Sequence, residues 1–295
     1  FLKPLCAVGL DIKTYRHEPH EKLQDVLVSV LANCSSVKQI DLRIRPDLVL
    51  AEAWGREQFA DQSTIADTLN AFTDSSVTQL RDALDVLYQR EGQAVRHDFD
   101  AELLTIDIDL TGLRASARAQ GSTKGYFSGK RNAYGRQVVR ASAPHYRETV
   151  YSKLQVGSQH GAAVLKSTMR AVQNLLHWTP EQCRCVLLRT DAGLGTDSNI
   201  NWALTHHFQV LMKGYNGKRA LAFAKQIKAQ DWYALRDQRW VACVTQAPRY
   251  ARRTQTLVLR WVAASGKTKH AALVHSLLDR DWHTILDTSN APFFK

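Results

Sequence analysis

The chain has 295 residues, of which 44% are hydrophobic and 23% are charged, and its formal net charge is +11. This composition is typical of a folded globular protein, and the length suffices for one large domain or two ordinary ones. It excludes a disordered chain, and because no apolar run approaches the roughly 18 residues of a membrane span, it excludes a membrane-spanning protein. The first residue is Phe1, and FLKPLCAVGL is too short and too mixed for a signal peptide. We therefore expect a cytoplasmic protein whose natural start lies upstream.

The first 100 residues place apolar side chains at helical spacing. Leu23, Leu27, Val30 and Leu31 repeat in this way, and Ile65, Leu69 and Phe72 follow Ser63 on one face of a second, short helix. Asp74 is the expected N-cap of a third helix, whose apolar residues are Val77, Leu80, Leu84, Leu87 and Tyr88. The segment ADQSTIADTLNAFT has two open interpretations: the second helix of a helix-turn-helix motif, or a plain helix of an acidic bundle. The second is at least as well supported, because the segment contains no lysine or arginine to contact phosphate.

From about residue 102 the pattern changes to strands. LLTIDIDL predicts a strand, a Gly-rich basic stretch follows, and YGRQVVRASA and ETVYSKLQVG predict two more strands. GAAVLKSTMRAVQNLLHW then predicts a helix with Leu165, Met169, Val172 and Leu176 on its inner face. The strands CVLLRT and HHFQVLMKG flank a helix capped by Asp197, and TLVLRWVAASGKTKHAALVHSLL predicts two strands around a turn at Ser265 and Gly266. This order predicts an α/β fold with a β-rich insertion after Lys213.

The positive charge is confined to the second part of the chain. Residues 1–109 contain 19 acidic and 11 basic residues, net −8, so the remaining 186 residues carry net +19. No acidic residue occurs from Leu110 to Arg147, a run that contains Tyr126, Phe127, Tyr134 and Tyr146 and the cations Arg114, Arg118, Lys124, Lys130, Arg131, Arg136, Arg140 and Arg147. A second acid-free run, from Gln238 to Leu278, includes Arg252 and Arg253. Positive charge interleaved with aromatic rings is typical of a nucleic-acid-binding surface; the alternative is a solvated basic face without a partner.

Two carboxylates occur two residues apart in the apolar strand LTIDIDLTGL. Strand alternation directs Asp107 and Asp109 to the same face, where a buried charge is costly unless it is paired or bound to a metal. Asp109 precedes Leu110, Thr111 and Gly112, where we expect the strand to end, which makes Asp109 the better candidate ligand; Asp107 is a second ligand or a companion.

Asp191 follows the apolar strand CVLLRT in the same manner. Ligands of α/β sheets bind beyond the carboxyl ends of strands, so two strand ends can bring Asp109 and Asp191 together. Paired carboxylates suit Mg²⁺ or Mn²⁺, which act in phosphodiester chemistry. The alternative is that these aspartates are N-caps, turn residues or ion-pair partners of nearby arginines.

Four stretches resemble the DDE transposases of bacterial insertion sequences, in the branch with a β-rich insertion. They are STIADTLNAFT, LTIDIDLTGLRASARAQGSTKGYFSGKRNAYGRQ, LLRTDAGLGTDSNINWAL and LMKGYNGKRA, and the similarity extends from about residue 60 onward. The resemblance implies a helical N-terminal domain (1–100) that contacts DNA ends, an RNase H-like catalytic core (101–215) and a β-rich insertion (216–295). It implies that Asp109 and Asp191 are the first two catalytic acids.

The same resemblance implies the reaction and the partners. Such enzymes use two Mg²⁺ ions; water attacks the phosphodiester at a transposon end, and the freed 3′-OH attacks target DNA. The expected partners are double-stranded DNA and a second copy of the chain in the DNA complex, and the expected location is the bacterial nucleoid. The expected phosphate contacts are Arg114, Arg118, Lys124, Lys130, Arg131, Arg136, Arg252 and Arg253.

The sequence departs from this family at the third acidic residue. The family has a glutamate on a helix after the insertion, in a Tyr, Arg, Glu pattern, whereas the late acids here are Asp279, Asp281 and Asp287, none of which lies in that pattern. We assign the third role to none of them and expect a chain truncated before that residue. Three hypotheses follow: a metal-dependent transposase, a non-catalytic DNA-binding remnant of one, and an RNase H-like nuclease unrelated to transposition.

Overall fold

The computed structural model describes residues 2–12, 16–127, 129–235 and 238–289, and the chain divides into two compact units, Phe1–Val95 and Arg96–Lys295. Each unit has hydrophobic clusters of its own. Among the described residues, no helix is both long enough and apolar enough to cross a membrane.

The first unit is helical throughout its described part. Its α-helices are α1 (Pro19–Leu31), α2 (Leu48–Ala53), α3 (Gln62–Asn70) and α4 (Asp74–Glu91), and single turns of other helix types occupy Lys3–Ala7 and Ile40–Ile44. Val28, Ile40, Phe59 and Ile65 form the larger of its two apolar clusters. The buried carboxylate of Asp25 is compensated by Arg56 at 2.8 Å and by the backbone N–H of Ala60 at 2.8 Å. This ion pair ties α1 to the segment that precedes α3.

The buried faces of these helices differ from the predicted ones. Val30 and Leu31 of α1 are exposed, as are Val77 and Leu84 of α4. The N-cap of α4 is Thr73, whose hydroxyl accepts the N–H of Ser76, so Asp74 is the first helical residue. The predicted faces are confirmed only in part: Leu23 and Leu87 are buried as expected, whereas the polar residues Asp25 and Ser76 are buried through specific hydrogen bonds.

The second unit is built on one mixed sheet, which has ten strands in the part of the chain described. The strands are β1 (Leu104–Arg114), β2 (Thr123–Phe127), β3 (Lys130–Ala143), β4 (Glu148–Val156), β5 (Val186–Thr190), β6 (Gln209–Lys213), β7 (Tyr233–Leu235), β8 (Arg239–Cys243), β9 (Gln255–Val262) and β10 (Thr268–His275). Their order is β2-β3-β1-β5-β6-β10-β9-β8-β7, and β4 also pairs with β3. The pairs β1–β5 and β5–β6 are parallel and the others are antiparallel.

In the described part of the second unit, the α-helices are α5 (Gly161–Leu176), α6 (Pro180–Arg184), α7 (Asp197–Thr205), α8 (Gly217–Gln226) and α9 (Trp282–Ser289). The predicted inner face of α5 is confirmed, since Leu165, Met169, Val172 and Leu176 are all buried. The N-cap of α7 is Thr196 and not Asp197.

The segment after Lys213 extends the same sheet. β10 pairs with β6, and β9, β8 and β7 follow in turn. On one face of this region, Leu187, Leu211, Leu257 and Leu273 pack with Ile285 of α9. The Gly-rich basic stretch, which the sequence pattern left without a strand, contains β2.

Candidate active site

The candidate site lies where the parallel pairing of β1 and β5 ends. The last paired residues are Ile108 and Thr190, so Asp109 and Asp191 take the next positions on two strands that lie about 4.8 Å apart. β5 ends at Thr190, whereas β1 continues to Arg114 and pairs with β3 alone. The sequence pattern predicted that Asp109 lies at the end of its strand. This prediction is wrong, because β1 continues for five more residues. Asp109 lies at the first position where the β5 side of β1 is open.

The charge of Asp109 acts on the carboxylate of Asp191. Burial raises the pKa of Asp191, and the negative charge of Asp109 raises it further. The backbone N–H groups of Gly193 and Leu194 and the charge of Lys213 oppose this rise. Two carboxylates whose charges repel at the edge of a sheet form a site that favours a cation.

The loop after β5 holds Asp191 in place. The Gly193 N–H donates to Asp191 Oδ1 at 2.9 Å, and the N–H of Gly195 donates to the Asp191 carbonyl at 3.2 Å. The buried amide of Asn199 donates to the carbonyls of Leu194 and Ala162, at 2.8 and 2.9 Å, which fixes the loop against α5. The position of Asp191 is thus set by hydrogen bonds within its own loop, and Asn199 fixes that loop to α5.

Asp109 is held more loosely. Its Oδ2 accepts a hydrogen bond from the Thr111 hydroxyl at 2.8 Å, and its cross-strand neighbour is Arg140 of β3, an exposed residue. In the described part of the chain, neither Asp109 nor Asp191 forms an ion pair within 4.0 Å.

Asp107 is in a different state from Asp109. Arg189 Nε donates to its Oδ1 at 2.6 Å and Arg189 Nη2 donates to its Oδ2 at 2.7 Å, a bidentate pair in which both side chains are at least 86% buried. The third guanidinium nitrogen, Nη1, donates to the Thr288 carbonyl of α9. For Asp107, the structure thus shows the alternative interpretation of the sequence, an ion pair with a nearby arginine. Because both oxygens of Asp107 are engaged, we leave it out of the metal-binding set that we propose below.

Lys213 is a residue of the site that the sequence pattern did not single out. It ends β6, and because Thr190 pairs with Met212, it lies beside Asp191 at the same edge of the sheet. Burial lowers the pKa of Lys213 and the charge of Asp191 opposes that effect. The ammonium group is 5.9 Å from the ring centroid of Trp261. The sequence did contain a signal for Lys213: the apolar strand FQVLMK ends in this lysine, much as the apolar strand CVLLRT is followed by Asp191.

The loops after β5 and β6 approach each other closely. A Cβ on Gly195 would lie 1.9 Å from the carbonyl oxygen of Lys213, and the Tyr215 N–H donates to the Gly195 carbonyl at 2.9 Å. Only glycine fits at position 195 without separating the two loops.

The predicted phosphate contacts have two different environments. Arg114, Arg118, Lys124, Lys130, Arg131 and Arg253 are exposed. Arg136 packs against Gly121, and Arg252 donates to the Phe208 carbonyl, so both are partly buried. Burial also lowers the pKa of Arg252. We keep the six exposed cations as candidate phosphate contacts.

The late acids supply no third group at the site. Asp281 caps α9 by accepting the Thr284 N–H at 2.9 Å, and Asp279 and Asp287 are exposed. Among the described residues, no three His, Cys, Asp or Glu side chains are placed to hold one metal ion. Within the described ranges, the carboxylates that we assign to the candidate site are therefore Asp109 and Asp191.

The fold is similar to that of a solved transposase. The piggyBac transposase in its synaptic complex with hairpin DNA aligns with a TM-score of 0.50 at 11% identity, covering 95% of this chain and 57% of that chain. The Mos1 transposase paired-end complex with the left transposon end (TM-score 0.25, 11% identity, 69% and 61% covered) and a pre-cleavage Mos1 transpososome (TM-score 0.25, 12% identity, 69% and 62% covered) align more weakly. The chain thus spans less than two thirds of the length of these transposases. No protein-family model and no curated protein matches the sequence.

Proposed function

We propose that the chain is a DNA transposase that uses Asp109 and Asp191 in metal-dependent cleavage at transposon ends and in strand transfer. The observation that carries the proposal is the convergence of these two carboxylates at the open edge between β1 and β5. The similarity of the fold to the piggyBac transposase supports it. We further propose that β1, β3, β4, β5 and β6 with α5 and α7 form an RNase H-like core, and that α8 and β7–β10 belong to a β-rich insertion.

The donor chemistry of the site fits a hard divalent cation. Mg²⁺ is typically bound by one or two carboxylates together with substrate phosphate and water, and the Asp109 and Asp191 carboxylates match that donor set. The ion, when bound, activates an oxygen nucleophile and neutralises charge at the phosphodiester. Mn²⁺ fits the same donors. The second ion that the resemblance implies stays a prediction.

The residues around the carboxylates have separable roles. Gly193 and Asn199 orient Asp191 and its loop, Thr111 orients Asp109, and Lys213 contributes a positive charge beside Asp191. The exposed cations Arg114, Arg118, Lys124, Lys130 and Arg131 extend from the end of β1 into the loop after it and onto β2 and β3. We assign them to the phosphates of double-stranded DNA, whose neutralisation supplies affinity without sequence preference.

Cleavage of DNA by the purified chain tests the proposal. We expect nicking of duplex DNA that requires Mg²⁺ or Mn²⁺, prefers the transposon's inverted-repeat ends, and falls to background in Asp109→Asn and in Asp191→Asn. Asp231→Asn is the matched control, because Asp231 is exposed and lies in the β-rich segment. Nicking that persists in both site variants would refute the assignment of these residues.

A second function is favoured by one observation, the lack of a third carboxylate near the pair among the described residues. It is the non-catalytic remnant, which binds transposon ends or pairs with an intact copy. Both functions predict salt-sensitive DNA binding, and only the transposase predicts cleavage. Cleavage without preference for the transposon ends would instead favour a nuclease unrelated to transposition.

A further inference from the structure

The ribbon formed by β2 and the first part of β3 has two unlike faces. β3 is long enough to pair with β4 along Arg136–Ala143 and with β2 along its earlier residues, where Thr123 faces Gly135 and Lys124 faces Tyr134. β1 ends opposite Gly135, so the ribbon continues past the end of β1. Its two faces can therefore be considered separately from the rest of the sheet.

One face of the ribbon is anchored by Phe127. This ring is fully buried, and it lies against Gly112 and Gly135, where an added Cβ would come within 2.7 and 2.8 Å of its atoms. The Ser158 N–H donates to the Thr123 hydroxyl at 2.7 Å, which ties the start of β2 to the end of β4. These contacts hold the ribbon in one position on the sheet.

The other face presents Lys124, Tyr126 and Tyr134, which we call the tyrosine platform. Tyr126 is 64% exposed and Tyr134 is 39% exposed. Lys124 pairs with Tyr134 and therefore lies on the same face of the ribbon. The pairing of β2 with β3 is irregular between Gly125 and Phe127, and there the side chain of Tyr126 is exposed whereas that of Phe127 is buried. Lys124 Nζ is 5.7 Å from the ring centroid of Tyr134, which keeps cation and ring side by side.

The platform belongs to a part of the sequence that is rich in cations and contains no acidic residue. It lies within the acid-free run from Leu110 to Arg147, and an open groove beside Tyr134 is lined by Arg114, Ser116 and Asn132. Two exposed rings beside cations complement a strand of nucleic acid whose bases are free to stack, since every base has an aromatic face and every nucleotide a phosphate. In a duplex the base faces are already stacked on one another, so only the cations would find partners there.

We propose that the tyrosine platform binds unpaired bases of a DNA strand that flanks the bond acted on at Asp109 and Asp191. The inference rests on the proposed function, which places the reaction at Asp109. Arg114, which lines the groove beside the platform, lies five residues beyond Asp109 along β1, and this separation is roughly 17 Å at about 3.4 Å per residue. This distance corresponds to a few nucleotides of single strand. Such a site would hold a strand that has separated from its complement near a transposon end.

The test separates base stacking from phosphate binding. Fluorescence anisotropy measures the affinity of Asp109→Asn/Asp191→Asn protein, in EDTA, for a labelled oligothymidine and for a labelled duplex of equal length. Adding Tyr126→Ala and Tyr134→Ala is expected to weaken oligothymidine binding by roughly tenfold per ring and to change duplex binding by less than twofold. Tyr126→Phe/Tyr134→Phe keeps the rings and should keep the affinity, whereas Tyr126→Leu/Tyr134→Leu should lose it.

Each outcome bears on one proposal. Unchanged oligothymidine binding in the double alanine variant, equal losses for single strand and duplex, or full affinity in the leucine variant would overturn the platform. Lys124→Ala should weaken both ligands, because it removes a phosphate contact. Since binding is measured without metal and without cleavage, failure of divalent-dependent nicking would refute the proposed function and leave this result standing.

Discussion

The ion pair between Asp107 and Arg189 gives the sharpest test of how the structure divides the three aspartates. Arg189→Met removes the guanidinium and leaves an aspartate with 14% of its side chain exposed and no cationic partner. It also removes the donor to the Thr288 carbonyl of α9. Breaking a buried pair from one side costs about 3–5 kcal/mol, because an uncompensated charge stays buried.

The expected change in Tm follows from the size of the unit. Arg96–Lys295 contains 200 residues, and at about 2.1 cal/mol/K per residue the unfolding entropy is roughly 0.4 kcal/mol/K. A loss of 3–5 kcal/mol therefore lowers the Tm by about 7–12 °C. Asp107→Leu alone should be comparable, and Asp107→Leu/Arg189→Met should recover most of the loss, because a buried pair can be replaced by apolar side chains at little cost.

Differential scanning calorimetry of the wild type, the two single variants and the double variant completes the double-mutant cycle. Scans of the wild type, Asp107→Asn and Asp109→Asn with and without Mg²⁺ report on the metal site. We expect Mg²⁺ to raise the Tm of the wild type and of Asp107→Asn by the same amount, and to have no effect on Asp109→Asn. Single variants whose Tm falls by less than about 2 °C would show that the ion pair does not stabilise the fold. An Mg²⁺ response that disappears in Asp107→Asn would show that Asp107 binds the cation. Either result would refute our reasoning.

Three further predictions concern the site and its surroundings. Burial, reinforced by the charge of Asp109, raises the pKa of Asp191, so the charged carboxylate disfavours the folded state. The neutral carboxyl group stabilises the fold at low pH, and this contribution is lost as the pH rises through the raised pKa. Asp191→Asn should therefore be more stable than the wild type at pH 7.5, with a Tm difference that shrinks toward pH 4; a difference that grows on acidification contradicts this. Gly195→Ala should lower the free energy of unfolding in urea by about 1–3 kcal/mol and reduce nicking, because its Cβ meets the Lys213 carbonyl. Gly217→Ala is the control, because an added Cβ at that position meets open space. Arg114→Ala, Lys130→Ala and Arg131→Ala should each reduce the slope of log K against log salt for duplex binding by roughly one; an unchanged slope would remove that residue from the phosphate contacts.

Local sequence patterns were enough to predict the elements that carry the candidate site. Apolar runs of strand length ended or interrupted by a carboxylate marked β1 and β5, and the helical spacing of Leu165, Met169 and Val172 marked the buried face of α5. The acid-free runs marked the cationic surface, because charge is additive along a sequence and needs no knowledge of contacts.

Local patterns could not predict which charges are paired, because pairing depends on how the strands and loops are folded together. Asp107 and Asp109 look alike in the sequence, but the register of β1 on β5 places Arg189 opposite Asp107, and β5 ends before it reaches the level of Asp109. In the same way, Arg252 is used by the Phe208 carbonyl while its neighbour Arg253 stays exposed. Hydrogen bonds with segments distant in the sequence bury two polar residues of α1 and α4: Asp25 accepts from the Ala60 N–H, and the Ser76 hydroxyl donates to the Gly9 carbonyl. Register and long-range hydrogen bonds depend on residues that local periodicity does not relate, so the division between structural and available charges appears only when the chain is folded.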